Sequence, residues 1–395
     1  MKSIIKLILI WLVKNLLKVF WLSPIKNSKL VFAAHEGKAF FCNPKYIYMY
    51  LNNAYCNIFD YVWVYNNKAD LTLFPLGVRL VEYNSAKYFY EIMTCKVFVN
   101  NMVSYSYIPF RKEQNVVATW HGGGAYKRAG VHVLKGEISR KKIELVAKNV
   151  THFVSGCKLF SGVMADAFLV NRDIFFEVGM PRNDILLSRL NAEVFRKVAD
   201  HYAIPKTKKI VLYAPTFRSK FTSVEHSVHL LESSLDFEKM KSSLCNRFGG
   251  DWCVVVRAHP LLSAQIKGAA IIDASNYPDM QELLCAADVL INDYSSSMWD
   301  FSLTGKPCFI YATDVEEYAQ DRNFYTPISE WPFPLATNNK ELADNILNFD
   351  EEKYREKVKK HHEALGICET GHASQLWGDK IYDICFGNDN KQAVK

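Results

Sequence analysis

A chain of 395 residues that is 49% hydrophobic is ordinary globular material, long enough for two domains that each bury a core. Its 48 Lys+Arg against 41 Asp+Glu leave a net charge of +7, which suits anionic partners such as phosphorylated ligands or acidic lipid headgroups and is too small to argue for nucleic acid. Ten cysteines scattered from Cys42 to Cys385, with no C-x-x-C pair and no metal-ligand spacing, point to free thiols in a reducing cytosol rather than to disulfides or zinc.

The first residues, MKSIIKLILIWLVKNLLKVFWL, are apolar but carry Lys2, Lys6, Lys14 and Lys18. A lysine held at the centre of a bilayer costs about 2.5 to 3.5 kcal/mol, so a clean span is disfavoured. The lysines recur at multiples of four and leave a broad Ile/Leu/Trp face, which predicts an amphipathic helix over 1–26 lying in the membrane interface. The alternative is a first helix buried in the domain. The following WLSPIKNSK is a poor signal-peptide cleavage site.

From Leu30 onward, apolar runs of strand length alternate with helix-length segments: KLVFAA, YVWVYN, VRLVEY, KVFVNN, NVVATW, HFVSG and FFEVG. Alternation of this kind predicts a parallel sheet wrapped by helices. The pattern restarts after the polar, proline-bearing stretch at Ile204 to Lys208 with IVLYAPTFR, WCVVVRAHP, AAIIDAS, DVLINDYSS and PCFIYATD. Two doubly wound, Rossmann-like domains are therefore expected, with a ligand cleft facing the carboxyl ends of both sheets. The tail from Asn338 to Phe386 reads as helices, the last able to pack back on the first domain.

The chemical residues follow the ends of these runs. TWHGGGAYKRAG places His121 at a strand terminus beside Gly122, Gly123 and Gly124, where backbone N–H groups can approach an anion without Cβ obstruction, and the spacing excludes both the Walker and the Rossmann glycine motifs. A histidine titrating near neutrality suits a general base; a structural histidine in a glycine turn is the alternative. VVVRAHP sends Arg257 and His259 to one side of an extended segment, suited to a phosphate clamp or, more simply, to an ion pair at the sheet edge. INDYSSSMWDFSLTGKP reads as strand, turn and helix, with Ser295, Ser296 and Ser297 at N-cap positions, free helix amides for a phosphate, Asp293 as a phosphate-site residue, and Asp293 and Asp300 alternatively as loop-orienting groups; plain capping without a ligand is the alternative. Arg182, Pro215, Thr216 and Arg218 lie on loops between elements. KKHHEALG is most simply a solvated helix face, and HEGK has no zinc spacing. No carboxylate cluster suggests a cation, so neither metal nor cofactor is expected.

TWHGGGAYKRAG, VGMPRND, LYAPTFR, VVVRAHP, YPDMQELLCAADVLINDYSSSMWDFSLTGKPCFIY and GHASQLWGDKIYDI stand in the order seen in CDP-glycerol glycerophosphotransferases, and GKAFFCNPKYIYMYL resembles that family's G-K-x-x-x-x-N-P start. The resemblance covers Gly37 to Ile384. It implies a GT-B-like architecture, with a membrane helix over 1–26, an acceptor domain over 27–200, a CDP-donor domain over 205–370 and a C-terminal helix in 371–395. It also implies transfer of glycerol phosphate from CDP-glycerol, or a polyol phosphate from CDP-ribitol, to a hydroxyl of a lipid-linked glycan or polyol-phosphate chain at the anionic cytoplasmic face of the membrane, with release of CMP. The family's two essential histidines match His121 and His259, and its donor contacts match Arg182, Pro215, Thr216, Arg257, Ser295 and Ser296. This chain departs from the family at Gly123 and Gly124, which replace Thr-Pro, and at His372, where many relatives carry Lys. The short segment before the core leans toward a primase or capsule-type transferase. A GT-B glycosyltransferase using a nucleotide sugar and a non-catalytic membrane scaffold are the competing readings.

Overall fold

The computed structural model describes residues 2–134, 136–188, 191–216, 235–258, 271–316, 318 and 324–387. The chain divides into two compact units, one of residues 1–123, 129–184 and 368–395, the other of residues 124–128 and 185–367. His259 and Arg218 lie outside the described residues.

The first unit is built on a parallel sheet ordered β3-β2-β1-β4-β5-β6-β7. Its strands are β1 (Lys26–Ala33), β2 (Asp60–Tyr65), β3 (Arg79–Glu82), β4 (Cys95–Asn100), β5 (Asn115–Ala118), β6 (His152–Ser155) and β7 (Phe175–Glu177). All seven coincide with the apolar runs. Leu30, Val31, Phe32 and Ala33 have no exposure, as expected of a parallel strand covered on both faces. The alternation of strand with helix is incomplete: β2 reaches β3 through the short turn Leu71–Leu73, and β4 reaches β5 through irregular chain.

The helices of this unit are α1 (Lys2–Leu17), α2 (Cys42–Ala54), α3 (Ala86–Thr94), α4 (Glu137–Ala147) and α5 (Lys158–Phe168). Leu17 is buried in the core with Val31, Val62 and Ile92, and Trp21 Nε1 donates to the Pro109 carbonyl at 3.0 Å, so this end of α1 is seated on the sheet. The rest of α1 exposes Ile5, Ile8, Leu9, Leu12 and Leu16, spaced along one helical face, with Trp11 and Val13 also exposed. Among the described residues no helix is long and apolar enough to cross a membrane.

The second unit repeats the arrangement with a parallel sheet ordered β10-β9-β8-β11-β12-β13. Its strands are β8 (Lys209–Ala214), β9 (Trp252–Val256), β10 (Ile271–Asp273), β11 (Val289–Asn292), β12 (Cys308–Tyr311) and β13 (Leu335–Ala336). In each sheet the first six strands follow the doubly wound order in which strand succession reverses beside the central first strand, where such folds bind ligands.

Helix α6 (Asn191–His201) packs against α8 (Met280–Ala286) and belongs to the second unit, ahead of the proline-bearing stretch at 204–208. Among the described residues, and apart from the four-residue turn of helix Asp184–Leu187, the remaining helices are α7 (Phe237–Phe248), α9 (Ser297–Ser302), α10 (Asn339–Leu347), α11 (Glu351–Leu365) and α12 (Ala373–Phe386). α12 packs against α2 in the first unit, where Tyr50 and Tyr55 both donate to Asp379, at 3.0 and 2.6 Å.

One expectation is corrected here. The segment KKHHEALG is a solvated face only in part: Lys359, Lys360 and Glu363 are exposed, but His361 Nε2 meets the Tyr126 hydroxyl at 3.0 Å, and His362 Nε2 meets the Ser302 hydroxyl at 2.7 Å. Burial holds both imidazoles down at about 4. These two positions lie on the inner side of α11, whereas Arg355, Lys359 and Lys360 pair with acids one turn away on its outer side.

Candidate active site

In the first unit, His121 lies three residues beyond β5, next to the carboxyl end of β4. Its Nδ1 is 3.3 Å from the main-chain carbonyl of Asn101, and since a carbonyl only accepts, the neutral ring carries its proton on Nδ1 and its lone pair on Nε2. Trp120 stacks on the ring at 4.4 Å, and the ring of His35, from the loop after β1, meets it edge-on at 5.4 Å.

The loop is pinned from several sides. Asn43 Nδ2 donates to the Thr119 and Trp120 carbonyls at 3.0 and 3.3 Å, while its Oδ1 accepts the Arg182 main-chain N–H at 3.1 Å. Arg182 Nη1 donates to the His121 carbonyl at 2.8 Å, so a guanidinium only 5% exposed stands behind the imidazole and supports its main chain. The turn that carries Arg182 is held by Glu369, whose carboxylate accepts from Met180 N and Asn183 Nδ2, each at 2.9 Å.

Backbone strain concentrates here. His35, Glu36, Cys42 and Trp120 have φ of 43°, 57°, 63° and 51°, left-handed conformations that cost non-glycine residues on the order of 1–3 kcal/mol each. Gly37 lets the turn after His35 close, because a Cβ there would lie 2.8 Å from the Tyr65 carbonyl carbon. The glycines after His121 behave otherwise. Gly122, Gly123 and Gly124 are absent from the positive-φ positions, and a Cβ on Gly124 would lie 3.0 Å from Trp299 Cβ, so close packing is what that glycine serves.

In the second unit, the candidate donor residues flank β8 and β11, where the strand order reverses. Asp293, just past β11, accepts from Thr216 N at 2.8 Å, from Thr216 Oγ1 at 2.6 Å and from Tyr294 N at 2.5 Å. Its carboxylate thus ties the ends of the two strands together, with Pro215 directly after the first of them. Arg257 follows β9; its N–H extends the ladder to the Tyr213 carbonyl, and its Nη1 donates to the Tyr277 carbonyl, both at 2.8 Å. Burial pulls its guanidinium below the usual arginine value, opposed by Asp279.

The serine run departs from its expected form. Ser296 occupies the cap of α9 with helical φ and ψ and no capping hydrogen bond from its side chain. Ser297 N donates to Ser295 Oγ at 3.3 Å, Met298 N to the Ser295 carbonyl at 3.2 Å and Trp299 N to the Ser296 carbonyl at 3.1 Å. The six-residue helix begins as a tight turn that consumes amides expected to be free, leaving the hydroxyls as its polar groups. Asn43, Asn101 and Glu369 were not singled out as site-building residues from sequence. Only Asn43 carried a signal, as part of the N-P motif.

The sequence model of the family described as CDP-Glycerol:Poly(glycerophosphate) glycerophosphotransferase matches residues 15–382. The chain is 30% identical over 373 residues to a teichoic acid poly(glycerol phosphate) polymerase of Staphylococcus epidermidis, covering 91% of this chain and 51% of that one. It is 26% identical over 376 residues to a teichoic acid glycerol-phosphate transferase of Staphylococcus aureus, covering 90% and 93%. This chain therefore spans about half the length of the first relative and nearly all of the second. A histidine-to-asparagine variant of the wall teichoic acid polymerase TagF, soaked with CDPG, superposes with a TM-score of 0.79 at 27% identity, covering 99% of this chain and 97% of that one. The fold is thus that of TagF, GT-B-like with two parallel sheets, and the chain belongs to the CDP-glycerol:poly(glycerophosphate) glycerophosphotransferase family.

Proposed function

We propose that the protein transfers glycerol phosphate, or a related polyol phosphate, from its CDP ester to a hydroxyl of a lipid-linked saccharide or growing polyol-phosphate chain in teichoic acid or capsule-type polymer synthesis. CMP leaves. Family membership supports the donor, and the carrying observation for the chemistry is His121, whose Nδ1 is engaged by the Asn101 carbonyl so that Nε2 is the basic nitrogen. Displacement at a pyrophosphate asks little covalent help of a protein; it needs a base for the acceptor hydroxyl, alignment, and compensation of charge on the phosphoryl oxygens.

In this reading His121 takes the acceptor proton. Arg257 and His259 meet the donor diphosphate, His259 donating to a phosphoryl or leaving oxygen, and Ser295, Ser296 and the amides of Gly122 and Gly123 contribute hydrogen bonds. Thr216, Pro215 and Asp293 shape the donor loop. Arg182 adds positive charge behind the base. The first unit serves the acceptor and the second the donor. The decisive assay compares CMP release from CDP-glycerol and CDP-ribitol with UDP release from UDP-sugars; turnover of UDP-sugars alone would establish the glycosyltransferase reading instead.

The apolar face of α1, with lysines including exposed Lys6 and Lys18 around it, supports peripheral attachment to the anionic cytoplasmic leaflet. Lys2 belongs to the same group by sequence. Lys14 is half-buried, its pKa lowered by burial and by Lys148 and Lys18. Replacing Leu9 and Leu12 by Glu is expected to cut binding to vesicles containing anionic lipid at least tenfold in co-sedimentation, and unchanged binding would remove α1 from this role.

A further inference from the structure

His35 belongs to the HEGK segment, which the chemistry above leaves unused. Its main-chain N–H donates to Asn101 Oδ1 at 2.8 Å, and the carbonyl of the same asparagine receives His121 Nδ1 at 3.3 Å, so one residue sets the positions of both imidazoles. The two rings lie 5.4 Å apart at 69°, and Phe41 closes another side of His35 at 4.9 Å. The His35 ring makes no hydrogen bond among the described residues, and its nitrogens are not among the polar atoms sealed without a partner.

The placement is costly. Two successive non-glycine residues, His35 and Glu36, are left-handed, and the turn is locked by Asn66 Nδ2 on the Glu36 carbonyl at 3.0 Å. Strain of this kind persists where surrounding contacts over-determine it, most often at ligand sites. Burial, followed by the charges of His121, Lys38 and Arg182, keeps the ring neutral down to about pH 3. A neutral imidazole has one N–H donor and one lone pair, which matches a hydroxyl rather than a phosphate.

We propose that His35 hydrogen-bonds the hydroxyl next to the one that His121 deprotonates, so that the acceptor presents a vicinal diol. The end of a glycerol phosphate unit and adjacent ring hydroxyls of a saccharide share this chemistry. The inference rests on His121 being the base. A second hydroxyl held by His35 orients the first toward Nε2, and an acceptor lacking it loses that alignment.

The test measures CMP release by the full chain from CDP-glycerol to paired acceptors: an alkyl-linked glycerol phosphate against its propane-1,3-diol counterpart, and a lipid-linked saccharide against its monodeoxy form. The pair that turns over identifies the source of the diol. The wild type is expected to favour the diol at least tenfold in kcat/KM. His35→Ala is expected to reduce the ratio to near one, chiefly through KM for the diol. His35→Asn, which tolerates left-handed backbone and retains hydrogen-bonding groups, is expected to keep part of the ratio and serves as the deciding variant if the alanine form does not fold. An unchanged ratio in the folded variants, or equal losses on both members of a pair, overturns the proposal. His121→Ala separates the two readings: if it stays active the base assignment falls, whereas an inactive His121→Ala with an unchanged His35→Ala ratio sinks the diol site alone.

Discussion

The loop after β5 in the first unit and the loop after β11 in the second sit near the centres of two sheets with the same doubly wound order, yet they are built in opposite ways. The first is strained and aromatic: Trp120 is left-handed, stacked on His121, and held from outside by Asn43 and Arg182. The second contributes no residue to the positive-φ set and is knit from within, by Asp293 on Thr216 and Tyr294 and by Ser295 on Ser297. The difference teaches a division of labour. On the proposed reading His121 is the reacting group and must be held in one uncommon orientation, so its loop carries strain offset elsewhere, while a donor-binding loop needs many polar groups at low cost, which a relaxed turn supplies.

That contrast is most sharply tested at His121. His121→Ala is expected to lower kcat by about a thousandfold, within the span of general-base catalysis, with donor affinity and melting temperature little changed. A large loss of CDP-glycerol binding in this variant would break the comparison. Next comes Asp293→Ala, which strands Thr216 N, Thr216 Oγ1 and Tyr294 N. It is expected to destabilise the protein by about 2–4 kcal/mol in denaturant titration and to raise KM for CDP-glycerol more than it lowers kcat.

The buried imidazoles set a third, pH-dependent difference. His35 is lowered to about 3, and His152, His361 and His362 to about 4, from an ordinary value of 6.5, burial being the leading cause in each. Below pH 6.5 the unfolded chain takes up protons that the folded chain refuses until about pH 4, so stability present above 6.5 is lost as pH falls through that window. The loss is on the order of a few kcal/mol. Replacing His361 and His362 by Gln, which retains hydrogen-bonding capacity toward Tyr126 and Ser302, is expected to flatten the decline in melting temperature; an unaltered acid limb would assign it to other groups. The smallest effect is expected at Gly124→Ala, where the added Cβ meets Trp299 at 3.0 Å. About 1 kcal/mol of stability and a few-fold loss of kcat should follow, read by thermal melt and steady-state rates.

Most of the fold was legible because a parallel strand buried on both faces must be a short, nearly continuous apolar run, and the runs from KLVFAA to PCFIYATD each became a strand. β13 escaped because Leu335 and Ala336 form a two-residue strand at the sheet edge, too short for any period to register. In the candidate site, the placing of His121, Thr216, Arg257 and Asp293 at strand ends was legible, because each is a polar residue that follows an apolar run. In the serine turn the cap position was legible, Ser296 standing there, but not the tight turn that engages the amides after it, because residue type alone does not register that turn.

By itself the sequence determined the strands, the order of the motifs and the family, since these depend on local composition and spacing. Tertiary structure decided what holds the imidazole: Asn43, Asn101, Arg182 and Glu369 act across separations of 20 to 189 residues. It also decided that His361 and His362 turn inward and that His35 stands beside His121. Such contacts exist only once strands distant in the chain lie side by side, and no local pattern of residues encodes which carbonyl will then face which ring.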